Sequence, residues 1–288
     1  MPVSHFLLTR FNIRIFRHDK HGKAVMSPDR TRDRFELFEK YCFPSVLNQS
    51  TRDFKWLCLF DKDTPVEYRE RIDGYRHQFP GFIPYFLDSN EALDYVNYFR
   101  LKVAGFSEPG SIVVTTYLDN DDMLHRNYMQ TVEDYARRAT KRSVISFSEG
   151  LQYYTEYGFS ARVSFRNNHF LTMVEKPAEG KLPLTVIGIG HIYLDKYKNL
   201  NVVEDVQHKG MWIEVVHNHN VANDVLFRAK AKYYHIEDSE VDYGCKLEDK
   251  GNSSFVRHYY PRFVRHAFHR LALKIKGDSL PPYIKTKS

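Results

Sequence analysis

The run Ile112-Val113-Val114-Thr115-Thr116-Tyr117-Leu118, closed by Asp119-Asn120-Asp121-Asp122, constrains this chain more than any other segment. Seven residues without a charge read as a buried strand, and the acidic tetrapeptide marks its carboxyl end. Open α/β sheets hold their ligands at that end of their strands. Three carboxylates packed into four residues therefore fall where a divalent cation and a phosphate would be held.

The segments before this run alternate between strand and helix patterns. His5 to Asn12 reads as a first strand with a polar end, and Phe35, Leu37, Phe38, Tyr41 and Cys42 suggest a helix that stops near Pro44. Lys55 to Phe60 is a second strand, closed by Asp61-Lys62-Asp63-Thr64-Pro65. Residues 66–77 read as a helix and Gly81 to Leu87 as a third strand, whose Pro84 suits a strand start or a sheet edge. A helix over 92–103, with Leu93, Val96, Tyr98, Phe99 and Val103 as buried positions, leads into the strand before the tetrapeptide. A helix over 127–139 and a strand over 144–147 follow. This alternation predicts an α/β fold, a mostly parallel sheet flanked by helices.

Beyond residue 150 the strand-like runs at 151–157, 161–165, 169–174 and 184–189 read as an extension of the same sheet. Residues 221–254 are polar and weakly periodic. Val256, Tyr260, Phe263, Val264, Ala267, Phe268, Leu271 and Ile275 then form a helical stripe from about Pro261, flanked by Arg262, Arg265, Arg270 and Lys274. Residues 254–288 hold eight Lys or Arg against the single acid Asp278, so the net charge of +6 belongs to this tail. A chain of 288 residues, 42% hydrophobic, can bury a sizeable core. No window resembles a membrane span and the N-terminus lacks a secretory pattern, which makes the cytoplasm the expected location. Three scattered cysteines, Cys42, Cys58 and Cys245, argue against a disulfide framework or a CxxC metal site.

Asp119 and Asp121 lie two residues apart, so an extended strand end points both to one side. Two hard oxygen ligands with diphosphate oxygens suit Mg²⁺ or Mn²⁺, and a bound cation relieves the repulsion among clustered carboxylates. Asp122 could instead cap a helix entered after Met123. Asp61 and Asp63 end another strand and suit hydrogen bonds from ribose hydroxyls or a base, while Thr9, Arg10 and Asn12 add polar groups and a cation at the end of the first.

Five segments together resemble a known family. Thr9-Arg10-Phe11-Asn12, Phe43 to Ser50, Trp56 to Asp61, Val114 to Asp122, and Met211-Trp212 through His217 and Asn220 are similar to the landmarks of a bacterial rhamnosyltransferase group within the GT-A-type glycosyltransferases. The likeness spans roughly residues 5–223, and its most specific parts are Thr-x-x-Leu-Asp-Asn-Asp-Asp and Trp-x-x-x-x-His-x-x-Asn. It implies a GT-A-like (Rossmann-like) sheet that binds a nucleotide-diphosphate sugar. Asp119 and Asp121 would form the DxD metal site for Mn²⁺ or Mg²⁺, with His217 as a late metal or diphosphate ligand. Asp61 would help hold the nucleoside, and Arg10 and Arg100 are donor-side cations; Asn120 and Asp122 lie within the same donor loop. The family usually has arginine where this chain has Tyr117, which changes the charge around the donor.

On this reading residues 1–223 form the catalytic domain, with 1–125 as the donor-nucleotide half and 126–223 as the acceptor-side half. Residues 224–288 form a C-terminal extension with a basic amphipathic helix. The implied activity is metal-dependent transfer of a sugar, rhamnose by family name, to a glycan or lipid-linked acceptor. An inverting reaction needs a carboxylate base at the acceptor hydroxyl. Asp205 is the first candidate, with Glu204 beside it and Glu214 as a rival. The basic tail suits a peripheral contact with anionic lipid on the inner face of the membrane, or simple packing on the catalytic domain, and no nucleic-acid reader motif accompanies it. The competing readings are a non-catalytic carbohydrate- or membrane-associated protein that keeps the fold, and a Mg²⁺-dependent phosphotransferase, for which no P-loop is present.

Overall fold

The computed structural model describes residues 1–15, 27–166, 168–189, 200–217 and 231–275. The buried runs of the first half become β1 (Val3–Arg10), β2 (Lys55–Asp61), β3 (Phe82–Leu87) and β4 (Ile112–Tyr117). They pair in parallel in the spatial order β3-β2-β1-β4. Helices α1 (Pro28–Leu37), α2 (Phe43–Leu47), α3 (Val66–Gln78), α4 (Ser89–Leu93) and α5 (Tyr95–Phe106) fill the connections. Pro84 falls in the edge strand β3, where a missing N–H is tolerated. Pro44, by contrast, does not stop its helix. A π-type turn over Phe38–Cys42 joins α1 to α2, and Pro44 takes a first-turn position of α2, where it needs no N–H partner.

The second half adds β5 (Met123–Leu124), α6 (Tyr128–Arg138), β6 (Ser143–Phe147), β7 (Glu149–Tyr154), β8 (Phe159–Ser164), β9 (Leu171–Glu175) and α7 (Thr185–Ile189). It continues with β10 (Asn201–Asp205), β11 (Trp212–Val216), β12 (Lys232–Tyr233), α8 (Ser239–Tyr243) and α9 (Gly251–Ile275). Three of these strands extend the first sheet to the order β10-β6-β9-β4-β1-β2-β3, with β9 running against its neighbours. The rest form a second sheet, β12-β8-β7-β11-β5. The runs at 151–157 and 161–165 therefore do not extend the first sheet; they make the β7–β8 hairpin of the second.

Residues 184–189, expected as a strand, form α7. A short apolar run is ambiguous in periodicity, and here the backbone is captured from outside. Glu175 accepts from Leu184 N and Thr185 N at 3.1 and 2.9 Å, and Val186 N donates to Thr115 Oγ1 at 2.9 Å. The second threonine of β4, Thr116, meets Thr172 of β9 hydroxyl to hydroxyl at 2.8 Å. Both polar side chains of the fully buried β4 are thus satisfied, one by α7 and one by β9.

Trp212 joins the two sheets. Its indole donates to Phe147 O of β6 at 2.8 Å and stacks on Phe170 at 4.7 Å. Gly150 of β7 makes room for it, since a Cβ there would stand 2.2 Å from the indole ring. The resulting core also takes in Phe255 and Tyr259 of α9. This helix starts at Gly251 rather than near Pro261, and the expected stripe splits: Phe263 packs on the core, Val256, Tyr260, Val264, Ala267 and Phe268 are exposed, and the side chains of Leu271 and Ile275 lie outside the described residues. No helix among the described residues is long and apolar enough to cross a membrane.

His5 in β1 is buried with neither ring nitrogen hydrogen-bonded, beside Phe54 at 6.1 Å. Burial pushes its imidazole down to about 3. Above the ordinary histidine range both folded and unfolded chains are neutral at this position and it adds no pH dependence. As pH falls from about 6.5 toward 3 the unfolded chain takes a proton that the folded one refuses, so stability is lost with a slope approaching about 1.4 kcal/mol per pH unit. Denaturant titrations of His5→Leu from pH 7 to 4 are expected to show a shallower decline than the parent; parallel curves would remove His5 as the cause.

Candidate functional site

The chain turns sharply after β4, with Asp122 N donating to Asp119 O at 3.4 Å. That turn separates the carboxylates that an extended strand would have aligned. Asp121 meets His217, just past β11, with Oδ2 and Nε2 2.9 Å apart. Asp122 turns inward, accepting from Val215 N of β11 at 2.8 Å on one oxygen and meeting His169 Nε2 at 2.8 Å on the other. It caps no helix: Met123–Leu124 is β5, and α6 begins at Tyr128. Asp119 lies 4.0 Å from the same His169 nitrogen. Asp119, Asp122 and His169 each offer one ligand atom, all within 4.8 Å of one another.

Two hard carboxylate oxygens and an imidazole nitrogen form a donor set that suits Mn²⁺, and also Mg²⁺ if substrate oxygens complete the shell. His169 has no spacing signature relative to the tetrapeptide, and the sequence reading missed it. It arrives just before β9, the strand that the Thr116–Thr172 contact docks onto β4. Burial alone would keep this imidazole neutral; its hydrogen bond and charge pairing with Asp122 outweigh burial and raise it to about 9, with Asp119 and Glu214 adding to the effect.

A cation and two phenols brace the outer carboxylate. The Tyr117 hydroxyl donates to Asp119 Oδ1 and accepts from Arg10 Nη2 and Nε at 2.8 and 3.2 Å. Arg10 also donates to the Tyr95 hydroxyl at 3.3 Å, and its guanidinium lies 5.1 and 5.4 Å from the two ring centres. Burial works against the Arg10 charge, but Tyr117, Asp119 and Tyr95 overcome it and raise its pKa. Arg10, Tyr95 and Tyr117 line a cleft of about 100 Å³ with His169, Leu171, Val186 and Ile187. A second cation that the sequence did not reveal, Arg34 of α1, donates to Phe11 O. Burial lowers its pKa, while Asp121 and Asp119 act to raise it, so it too faces the acidic loop. Asn120 is buried with its Nδ2 unpartnered, a donor available to an anionic oxygen.

The other sequence-derived candidates lie in different settings. Thr9 Oγ1 donates to Leu118 O and accepts from Trp56 Nε1, at 2.9 and 3.0 Å, which locks three strand ends together. Asn12 ties the ends of β1 and β2, accepting from Asp61 N at 3.0 Å and donating to Thr64 Oγ1 at 3.3 Å. Asp61 and Asp63 both pair with Arg14, at 2.8 and 2.7 Å. Arg100 is turned toward α7, donating to Pro183 O at 2.8 Å. Glu204 accepts from Ser148 Oγ at 2.7 Å and pairs with Arg166 at 2.9 Å.

Asp205 ends β10, which β6 and β9 separate from β4. Its buried carboxylate accepts from Gln207 N and His208 N on one oxygen and from the Tyr135 hydroxyl on the other, which also meets His208 Nδ1 at 2.6 Å. Burial would raise its pKa, but the donors from His208, Tyr135 and Gln207 bring it below the usual carboxylate range. A carboxylate with both oxygens engaged in this way is a poor proton acceptor. Glu214 sits on β11, one residue before the backbone that Asp122 grips, accepts from Gln152 Nε2 at 2.8 Å, and contributes to the field at His169.

Residues 4–229 match the family described as "Putative rhamnosyl transferase". The chain belongs to this glycosyltransferase family. No curated protein matches it. Among solved structures it is similar to TarS 1-349 of S. aureus, at 8% identity and a TM-score of 0.42, covering 75% of this chain and 60% of that one. The same S. aureus protein in complex with UDP gives 11% identity and a TM-score of 0.39, covering 75% and 61%. This chain thus spans less than two-thirds of those solved chains. Likenesses this distant carry no weight in the functional reading.

A metal ligated by Asp122 and His169 must displace the protons that this pair holds, Asp122 being raised to about 8 and His169 to about 9. Mn²⁺ affinity is therefore expected to rise with pH up to about 9, by about tenfold per unit or more. His169→Gln should flatten that dependence. Calorimetry in buffers of different ionisation enthalpy measures the proton release; a flat profile in the unmodified protein contradicts ligation by His169.

Proposed function

We propose that this chain is a metal-dependent glycosyltransferase that moves a sugar, rhamnose by its family, from a nucleotide-diphosphate donor to a glycan or lipid-linked acceptor. The observation that carries this reading is the gathering of the acidic loop after β4 with His169 and His217, brought from two other strands of the fold. In it Asp119, Asp122 and His169 would hold Mn²⁺ or Mg²⁺, with Asp121 and His217 beside them in the same loop region. A cation held there would supply positive charge against the diphosphate leaving group.

The remaining roles belong to the protein's own groups. Asn120 Nδ2 satisfies its missing bond on a diphosphate oxygen, and Arg34 supplies a fixed positive charge beside the same loop. Tyr117 and Arg10 hold Asp119 in place. Asp61 and Asp63, braced by Arg14, frame the nucleoside side at the end of β2. For an inverting reaction Glu214, beside the backbone that Asp122 grips, would serve as the general base, the rival carboxylate Asp205 being held by His208, Tyr135 and Gln207. This chemistry resides in the proposed catalytic domain of residues 1–223, with 224–288 as its extension.

Asp119→Asn and Asp121→Asn are each expected to lower nucleoside diphosphate release by about 100-fold or more while leaving the melting temperature within a few degrees. Glu214→Gln should lower kcat with little change in donor affinity, whereas Asp205→Asn should act through stability. The proposal fails if folded aspartate variants keep full turnover, or if the unmodified protein binds a sugar nucleotide yet releases no nucleoside diphosphate with any acceptor.

A further inference from the structure

Helix α9 carries two apolar faces, and among the described residues only one is packed against the rest of the fold. Phe255 and Tyr259 are buried, packed beside Phe159 and Tyr154 of the second sheet at ring separations of 5.5 and 6.0 Å. Arg262 is turned to the same side, its guanidinium 4.2 Å from the Tyr157 ring centre. A second set, Val256, Tyr260, Val264 and Phe268, recurs every fourth residue and is 47, 48, 46 and 68% exposed. Side chains at that spacing share one helix surface. Arg257, Pro261, Arg265 and Ala267 are exposed around it.

The charge of this helix indicates what covers the exposed face. From Gly251 to Ile275 there is no acidic residue, while Arg257, Arg262, Arg265, Arg270 and Lys274 are all basic. A protein partner or a second copy would bring this apolar stripe against a surface of mixed charge. An anionic lipid surface satisfies both features together: it takes aliphatic and aromatic side chains at the acyl boundary and arginines at the headgroups. We infer that the exposed face of α9 is a docking surface for an anionic membrane, with Val256, Tyr260, Val264 and Phe268 entering the interface and Arg257 and Arg265 pairing with lipid phosphates. The helix then lies along the membrane without crossing it, held on its inner side by the packing of Phe255 and Tyr259. The inference is independent of the donor chemistry and can be tested without turnover.

Cosedimentation of the full chain with vesicles provides the test. The unmodified protein is expected to bind vesicles of phosphatidylcholine mixed with an equal amount of phosphatidylglycerol, to release as salt is raised, and to leave pure phosphatidylcholine vesicles unbound. Arg257→Glu with Arg265→Glu, and separately Val264→Ser with Phe268→Ser, should each cut the bound fraction about tenfold or more, with circular dichroism and melting temperature unchanged because all four sites are exposed. Three results would overturn the inference. One is no binding to the anionic vesicles. Another is salt-insensitive binding that both double variants retain. The third is a dimer in sedimentation velocity that Phe268→Ser dissociates, which would make a second copy the occupant.

Discussion

Asp122 is a buried carboxylate shared by three parts of the fold, and the geometry of the acidic loop depends on how it is satisfied. One oxygen accepts the Val215 N–H of the second sheet, and the other meets His169 next to β9 of the first. Burial raises this carboxyl to about 8, with the His169 hydrogen bond pulling it down and Asp121 pushing it up, so its burial is tolerated only because both oxygens are engaged. Its partners are therefore fixed along with it. Holding β11 by its backbone puts His217 against Asp121, and pairing with His169 delivers an imidazole to Asp119. Trp212 reinforces the joint from the apolar side, bridging to Phe147 across the gap that Gly150 leaves open.

Around that joint, positive and negative groups are arranged so that no carboxylate of the loop faces open apolar surface. Asp119 is braced by Tyr117, which Arg10 holds in turn, and Arg34 faces Asp119 and Asp121 from α1. The adjoining Tyr117 and two elements distant in sequence, β1 and α1, thus bear on one tetrapeptide. On the proposed function, a loop braced in this way is positioned for a cation and a diphosphate, and the contact between His169 and Asp122 is what a cation would replace. Asn120 Nδ2 has no hydrogen-bond partner among the described residues.

Much of this was legible in the chain because it is local. The uncharged run of β4, the strand–helix alternation around β1 to β4, and the acidic tetrapeptide at a strand end follow from composition and periodicity over short windows. What could not be read depends on tertiary capture. Residues 184–189 carry an apolar run that suits either state, and Glu175 and Thr115 decide for a helix by binding its first N–H groups. The β7–β8 hairpin left the first sheet because Trp212 and β11 offered a second one. His169 lies far from the loop in sequence with no motif around it, so only the docking of β9 reveals it. Asp205 looked available as a base until four neighbouring donor groups were seen to occupy it. The stripe on α9 was visible, but which side of it packs was decided by the aromatic residues of β7 and β8.

On the proposed function this loop binds a sugar-nucleotide diphosphate through a divalent cation. Ligand-observed NMR on a panel of sugar nucleotides, with Mn²⁺ or Mg²⁺ and then with the metal chelated, is the decisive measurement. At least one sugar nucleotide is expected to bind only when metal is present, and its anomeric signals to give way to free sugar or product as nucleoside diphosphate accumulates. Binding that is equally strong after chelation, or no binding across the panel with either metal, would contradict it.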